Sequence, residues 1–557
     1  NGRRRQRQMC IRDSSLPAWN KTNKVPEDFS FGEFQENFEH FEPYLASAIK
    51  RFPVLETAGI RKFFSGPESF TPDTNALLGE VPEIKNFFVC CGLNSVGIGT
   101  GGGVGKITAE WLMTGHINED IFSYDIKRFQ KFHSELGFIK KRITESLGDL
   151  YGMHWPFKQH KTSRNIKTLP HHDNLKSFGA CFGVSGGYER PMWFALDGER
   201  TEYEYSYNYQ NWYPSAEYET NNTIKNVGLF DLTPFSKFEI KSNKAHEELQ
   251  KICTANVKNE PGKCVYTQML NSDGGIETDL TVVCIEKDYF RIVSSATTRE
   301  RDKFHIRKHL SKDIEISDVT DELCVFGLFG PKSRELLQSI SKSSYDNDNF
   351  KFGTAKYVIL NGIKIWAQRL SYVGELGYEL YVDIKDAKRI YEFLIEKGRD
   401  FNLSNCGMHA MDIMRMESGF LHWGHDISPE ENQYQAGLSF TISYKKDVDF
   451  IGKQALEKIR KNKIESRFAM FVLQDSKPGE PLLLHDEPIY IENRIIGRST
   501  SGNYSFNFKK NLVFGYIKND LSLKELQTKR LFIEIEKNKY PLKVQVEPLK
   551  RTNYKNI

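Results

Sequence analysis

The chain has 557 residues, enough for about three or four domains, with a net charge of +4 and 27% charged residues. That balance excludes a bulk polyanion-binding surface or an acidic tail, so no nucleic-acid partner is expected. Nor is a membrane, since no apolar run approaches the roughly 18–20 residues of a span; nine cysteines without a C-x-x-C pattern point to a reducing compartment rather than a disulfide framework.

The first fourteen residues, "NGRRRQRQMCIRDS", are basic, lack an apolar helical face and lead into no element. They read as non-native, with native sequence expected from about Ser15. The next stretch, "FQENFEHFEPYLASAIKRFPVLET", has apolar residues at helical spacing up to Pro53. The turn-rich "SGPESFTPDTNALLGEVPEIKN" precedes a strand-like "FFVCC". Then comes "GLNSVGIGTGGGVGK", seven glycines in fifteen residues, and a helical "ITAEWLMTG".

Glycine lets a ligand touch the backbone, so a cofactor-cradling loop is the first reading. Gly97, Gly99 and Gly102 satisfy G-x-G-x-x-G, but a glycine-rich loop matches such templates by chance. The dinucleotide fingerprint also needs an acidic residue ending the next strand about 20 positions on, whereas Asp120 lies in a polar turn. The phosphate-loop pattern fails because Lys106 is followed by Ile107 and its leading glycine position is Thr100. The loop therefore reads as approaching a ligand without being the pyrophosphate loop.

Residues 117–172 read as a helical, basic connector. From 173 to 455, strand-like runs ("KFEI", "TDLTVVCIE", "YFRIVSS", "KIWAQRLS", "YELYV") mix with helical ones ("SRELLQSI", "AKRIYEFLIEKG", "HAMDIMRMESG"), as in an α+β domain. From 456 to 557 short strands at regular spacing suggest a small β-barrel. The tyrosine-rich "TEYEYSYNYQNWYPSAEYE" reads as a packed surface loop. His171–His172 and His422/His425 have no zinc-type partners in sequence, so no metal site is expected.

Along nearly its full length the chain resembles the sarcosine and dimethylglycine dehydrogenase family, more closely on the sarcosine side. The stretch from "FFSGPESFTPD" to "GKITAEWLMTG" looks like the end of that family's flavin domain. "SFGACFGVSGGYERPMWF", "VGLFDLTPFSKFEI", "VYTQMLNSDGGIETDLTV", "LSYVGELGYELYV", "MDIMRMESGFLHWGHDI" and "DFIGKQAL" follow in family order. The resemblance implies an α+β multidomain architecture. Its parts are the C-terminal part of a D-amino-acid-oxidase-like FAD domain (15–116), the connector (117–172), an aminomethyltransferase-like folate domain (173–455) and the barrel (456–557). The family's pyrophosphate fingerprint is not among these residues, so they are expected to bind flavin poorly on their own.

What the resemblance implies for the site is specific. Gly92, Asn94, Ser95, Gly97 and Ile98 would meet the pyrimidine side of FAD, where a helix N-terminus favours the charge of the reduced ring. Asp279 would hold the amine and relay its proton beside tetrahydrofolate. Glu379 would accept the paired N–H donors of the pterin, with Tyr372 lining the same pocket and Glu375 as the competing carboxylate. Arg415 would pair with the folate tail or form an intrahelical salt bridge. The implied activity is oxidative demethylation of a methylated amino acid with transfer of the one-carbon unit to tetrahydrofolate. An electron acceptor such as an electron-transfer flavoprotein is implied, in the cytoplasm of a bacterium or the mitochondrial matrix of a eukaryote. Two alternatives stay open: a folate-dependent aminomethyltransferase without oxidase activity, and a non-catalytic regulatory subunit of a dehydrogenase phosphatase.

Overall fold

The computed structural model describes residues 24–150, 152–550 and 554–556. Residues 1–14, expected to be non-native, lie outside the described residues.

The first described segment holds the helix Phe38–Arg51, capped by the Asn37 side chain accepting from His40 N at 2.8 Å. A hairpin of Leu77–Glu80 with Phe88–Cys91 follows, and then a long helix, Gly97–Thr114, closed by Gly115 at φ +78°. The helix therefore runs through the glycine stretch rather than starting after it. An interior glycine costs about 1 kcal/mol relative to alanine, so this helix is held by its surroundings and not by propensity. Its one buried side chain is Trp111, whose ring lies under Gly79 and beneath the Lys127 ammonium. The segment builds little core of its own: Phe31, Val54, Phe64, Ile98 and Met113 are all well exposed.

The connector carries one α-helix, Leu136–Leu150, preceded by two short 3₁₀ turns. Arg128 clamps it to the first segment, donating to both carboxylate oxygens of Asp73 at 2.6 and 2.9 Å.

Two large sheets and a separate hairpin, Ala180–Ser185 with Tyr188–Phe194, form the next domain. Hairpin-linked strands make an antiparallel sheet ending in Ile276–Glu286 and Cys264–Leu270, while a six-stranded sheet has Gly377–Asp383 and Ile363–Gln368 among its inner strands. Strand alternation sends one face of each sheet to its own helices. Met269, Leu280 and Val282 pack toward the helices of the first sheet, and Ala367, Leu380 and Val382 toward those of the second. The opposite faces meet each other through Cys264, Val283, Trp366, Tyr381 and Phe329. Beyond this domain six strands close into a barrel. An apolar cluster including Leu421, Trp423, Phe450 and Phe514 joins barrel to domain. The tyrosine-rich loop packs inward, Tyr203 against Trp193 and, by its hydroxyl, against His409.

Candidate functional site

Asp279 lies on the strand Ile276–Glu286, entered through Gly274 and Gly275. Gly274 has φ +90°, and a Cβ on Gly275 would stand 2.3 Å from the Pro429 carbonyl oxygen, so the turn admits no side chain at either position. Antiparallel register sets Asp279 opposite Gln268, and Gln268 Nε2 donates to Asp279 Oδ1 at 2.7 Å. The Tyr266 hydroxyl bonds to the same carboxylate. Behind Gln268, its Oε1 accepts from Gln433 Nε2 at 2.7 Å and Thr441 Oγ1 at 2.6 Å. Gln433 also reaches Thr254 Oγ1 at 3.0 Å, and both glutamines are fully buried. With its oxygen held from behind, the Gln268 amide has only its N–H group to turn toward Asp279. Burial pushes the Asp279 carboxyl up from 3.8 to about 6, against the opposing pull of those two donors.

Glu379 comes from the facing sheet, on the strand Gly377–Asp383. Its Oε2 accepts from the Tyr381 hydroxyl at 2.9 Å, and burial raises its carboxyl to about 7. Burial raises the thiol of Cys264, on the Asp279 sheet, with the Glu379 charge adding to the rise, and burial likewise raises the Tyr372 hydroxyl, with a smaller addition from Asp279. The Tyr372 hydroxyl donates to the Leu421 carbonyl at 2.8 Å, and its ring lies near-parallel to Phe420. Asp279, Tyr372 and Glu379 are thus gathered in the space between the two sheets. Glu375 is directed elsewhere, into a buried ion pair with Lys550. Arg415 is buried with its hydrogen bonds directed inward: Asp412 at 2.8 Å, Asp426 at 2.6 Å, the Phe420 carbonyl at 3.1 Å and Ser501 at 2.9 Å. It therefore joins its helix to the following loop and to the barrel, and carries the intrahelical salt bridge.

At the glycine segment, Gly92, Asn94 and Ser95 all lie at positive φ, +63°, +49° and +66°, a conformation free to glycine, tolerated by asparagine and costly only for Ser95. The Asn94 side chain accepts from Thr71 N at 2.8 Å, and Ser95 donates to Glu68. The helix beginning at Gly97 has no side-chain cap, Ile98 is fully exposed, and a Cβ on Gly99, Gly101, Gly102, Gly103 or Gly105 would meet nothing within 4 Å. Bare backbone and free N–H groups at a helix start fit a planar, charge-accepting ring such as that of a flavin. Away from that helix start, a cavity of about 250 Å³ lies at the C-terminal end of the helix, lined among others by Trp111, His116, Glu277, Arg301 and Trp423.

Four family models match in order: "FAD dependent oxidoreductase" over 7–111, "FAD dependent oxidoreductase central domain" over 114–168, "GCVT N-terminal domain" over 171–446 and "Glycine cleavage T-protein C-terminal barrel domain" over 467–550. The chain is 37% identical to a 4-methylaminobutanoate oxidase (formaldehyde-forming) of Paenarthrobacter nicotinovorans, over 94% of this chain and 63% of that protein. It is 32% identical to human mitochondrial sarcosine dehydrogenase, over 89% and 58%. The chain belongs to the sarcosine and dimethylglycine dehydrogenase family. It spans about three-fifths of the length of these relatives. The fold of the larger part matches the glycine-cleavage aminomethyltransferase of Bartonella henselae, with TM-score 0.59 and 21% identity over 69% of this chain and 98% of that one.

The family is one of FAD-dependent methylamino acid oxidases with a folate-binding module. Within that frame, sequence reasoning singled out Asp279, Tyr372 and Glu379 but missed what surrounds them. Tyr266 and Gln268 could have been found by counting register back through the "NSDGG" turn, although the bulge between Met269 and Leu270 shifts that count. Nothing in the sequence signals Gln433, 165 residues from Gln268.

Proposed function

We propose that this chain takes part in oxidative demethylation of a methylated amino acid, sarcosine or dimethylglycine, and passes the one-carbon unit to tetrahydrofolate as 5,10-methylene-tetrahydrofolate. The observation that carries this reading is the pair of desolvated carboxylates, Asp279 and Glu379, on facing strands of one inter-sheet space. Two half-buried acids with no cation paired to either among the described residues are costly to a fold and suit a cationic or N–H-rich ligand.

In this reading Asp279 balances the charge of a substrate iminium and relays the proton released when the folate amine attacks. Its carboxyl, raised to about 6, is mostly ionised near neutral pH yet basic enough to accept that proton. Glu379 accepts the adjacent N–H donors of the pterin, Tyr372 lines the ring, and Arg415 anchors the wall beside it. The segment of Gly92, Asn94, Ser95, Gly97 and Ile98 would hold FAD, which would supply hydride-accepting chemistry there, with an electron acceptor such as an electron-transfer flavoprotein as its partner. The folate half is tested by calorimetry of the full chain with tetrahydrofolate. Binding is expected, and Glu379→Ala should weaken it by about 10- to 100-fold, the range for bonds to a charged group. No binding at millimolar ligand would overturn the reading.

A further inference from the structure

Gln368 is the last residue of the strand Ile363–Gln368, and register sets it directly opposite Glu379. Cross-strand partners share a face and stand within about 5.5 Å of each other. Gln368 is fully buried, yet neither its Nε2 nor its Oε1 has a hydrogen-bond partner among the described residues. A buried amide with no partner at either end costs free energy and calls for an explanation, commonly a ligand. Its face holds Trp366 and Tyr381, the pair two residues along the same register, and this is the face turned to the Asp279 sheet.

Beside it, the ionised Glu379 carboxylate offers only acceptors, one of them already bonded to Tyr381. An acceptor-only group next to a group that both donates and accepts is complementary to a ring edge carrying adjacent N–H donors followed by a carbonyl. The 2-amino-4-oxo ring of a pterin has that edge. We propose that Gln368 is a specificity-determining residue of the folate site, its amide N–H donating to the 4-oxo oxygen of the pterin while Glu379 accepts from the neighbouring N–H groups. The inference rests on the folate reading above and adds to it a residue that reads the carbonyl.

The test uses the full chain and two measurements on Gln368→Leu, which keeps the volume and removes the amide. Calorimetry with tetrahydrofolate should show binding about tenfold weaker than wild type, the effect of one lost hydrogen bond with its partner left unpaired. Thermal unfolding without ligand should move the other way, the midpoint rising because an unpartnered buried amide is gone. A role within the protein framework predicts the opposite sign, a lowered midpoint, and that result would overturn the proposal. Equal affinity of wild type and variant for tetrahydrofolate would also overturn it while leaving the folate reading intact. Failure of wild type to bind at all would remove the folate reading itself.

Discussion

Replacing Asp279 by asparagine should stabilise the protein at alkaline pH while disabling it. The carboxyl rises on folding from 3.8 to about 6, which corresponds to roughly 3 kcal/mol. A folded-state value above the unfolded one means the native state binds the proton more tightly. The native state is therefore penalised at pH above about 6, and the penalty fades as pH falls through 6 toward 4. Asparagine carries no charge to desolvate and keeps an oxygen for the Gln268 amide and the Tyr266 hydroxyl. At pH 8 the variant should unfold at a midpoint higher by roughly 3–6 °C, and the two curves should converge near pH 4. Methylene transfer to tetrahydrofolate should meanwhile fall by about 10²–10⁴, the usual contribution of a positioned proton-transfer group. In flavin-loaded enzyme the amine should still reduce the flavin, with free formaldehyde rising as methylene-tetrahydrofolate falls. The assays are thermal unfolding across pH 4–8, stopped-flow flavin reduction and a formaldehyde measurement. A variant less stable by the same amount at every pH would refute the electrostatic reasoning, and an unchanged yield of methylene-tetrahydrofolate would refute the role of Asp279.

Gln433→Leu removes a donor that orients the Gln268 amide, so Asp279 loses support for its charged form. The acid limb of the pH–rate profile for methylene transfer should move up by as much as about one pH unit, whereas a purely architectural residue would lower the rate without moving the limb. Arg415→Met leaves Asp426, which is fully buried, without its cation; the expected loss is about 3–5 kcal/mol, read as a lowered denaturant midpoint, and an unchanged midpoint would show that the ion pair contributes nothing net.

Much of the fold was legible because its elements carry their own periods. The alternation of Ile363–Gln368 and the helical spacing of Ala387–Gly398 mark strand and helix with no help from distant residues. The barrel was legible from short strands separated by turns. The helix through the glycine stretch was not, because propensity argues against it. Flanking packing decides there, with Trp111 under the hairpin and Lys127 over its ring. The outlook of Asp279 was also hidden from local sequence. An aspartate in an alternating strand usually faces solvent, and only the facing sheet makes this position a desolvated one.

The same non-local packing explains why the site residues look unremarkable one at a time. Gln268 and Gln368 are ordinary polar residues in apolar runs and Gln433 one in a polar stretch, and each acquires meaning from a partner far away in sequence or from having none among the described residues. Gln268 is satisfied at both ends, by Asp279 in front and Gln433 and Thr441 behind, so it transmits position. Gln368 is satisfied at neither, so it is available to a ligand. Elsewhere the fold leaves little to chance: Arg415 and Lys550 pair with buried carboxylates and tie the barrel and the C-terminal segment to the folate domain. Arg415 and Lys550 are thus matched within the protein, whereas Asp279 and Glu379 have no cation paired to them among the described residues. Raised carboxyl pKa values and an unpartnered amide in one inter-sheet space support the reading of that space as a ligand site.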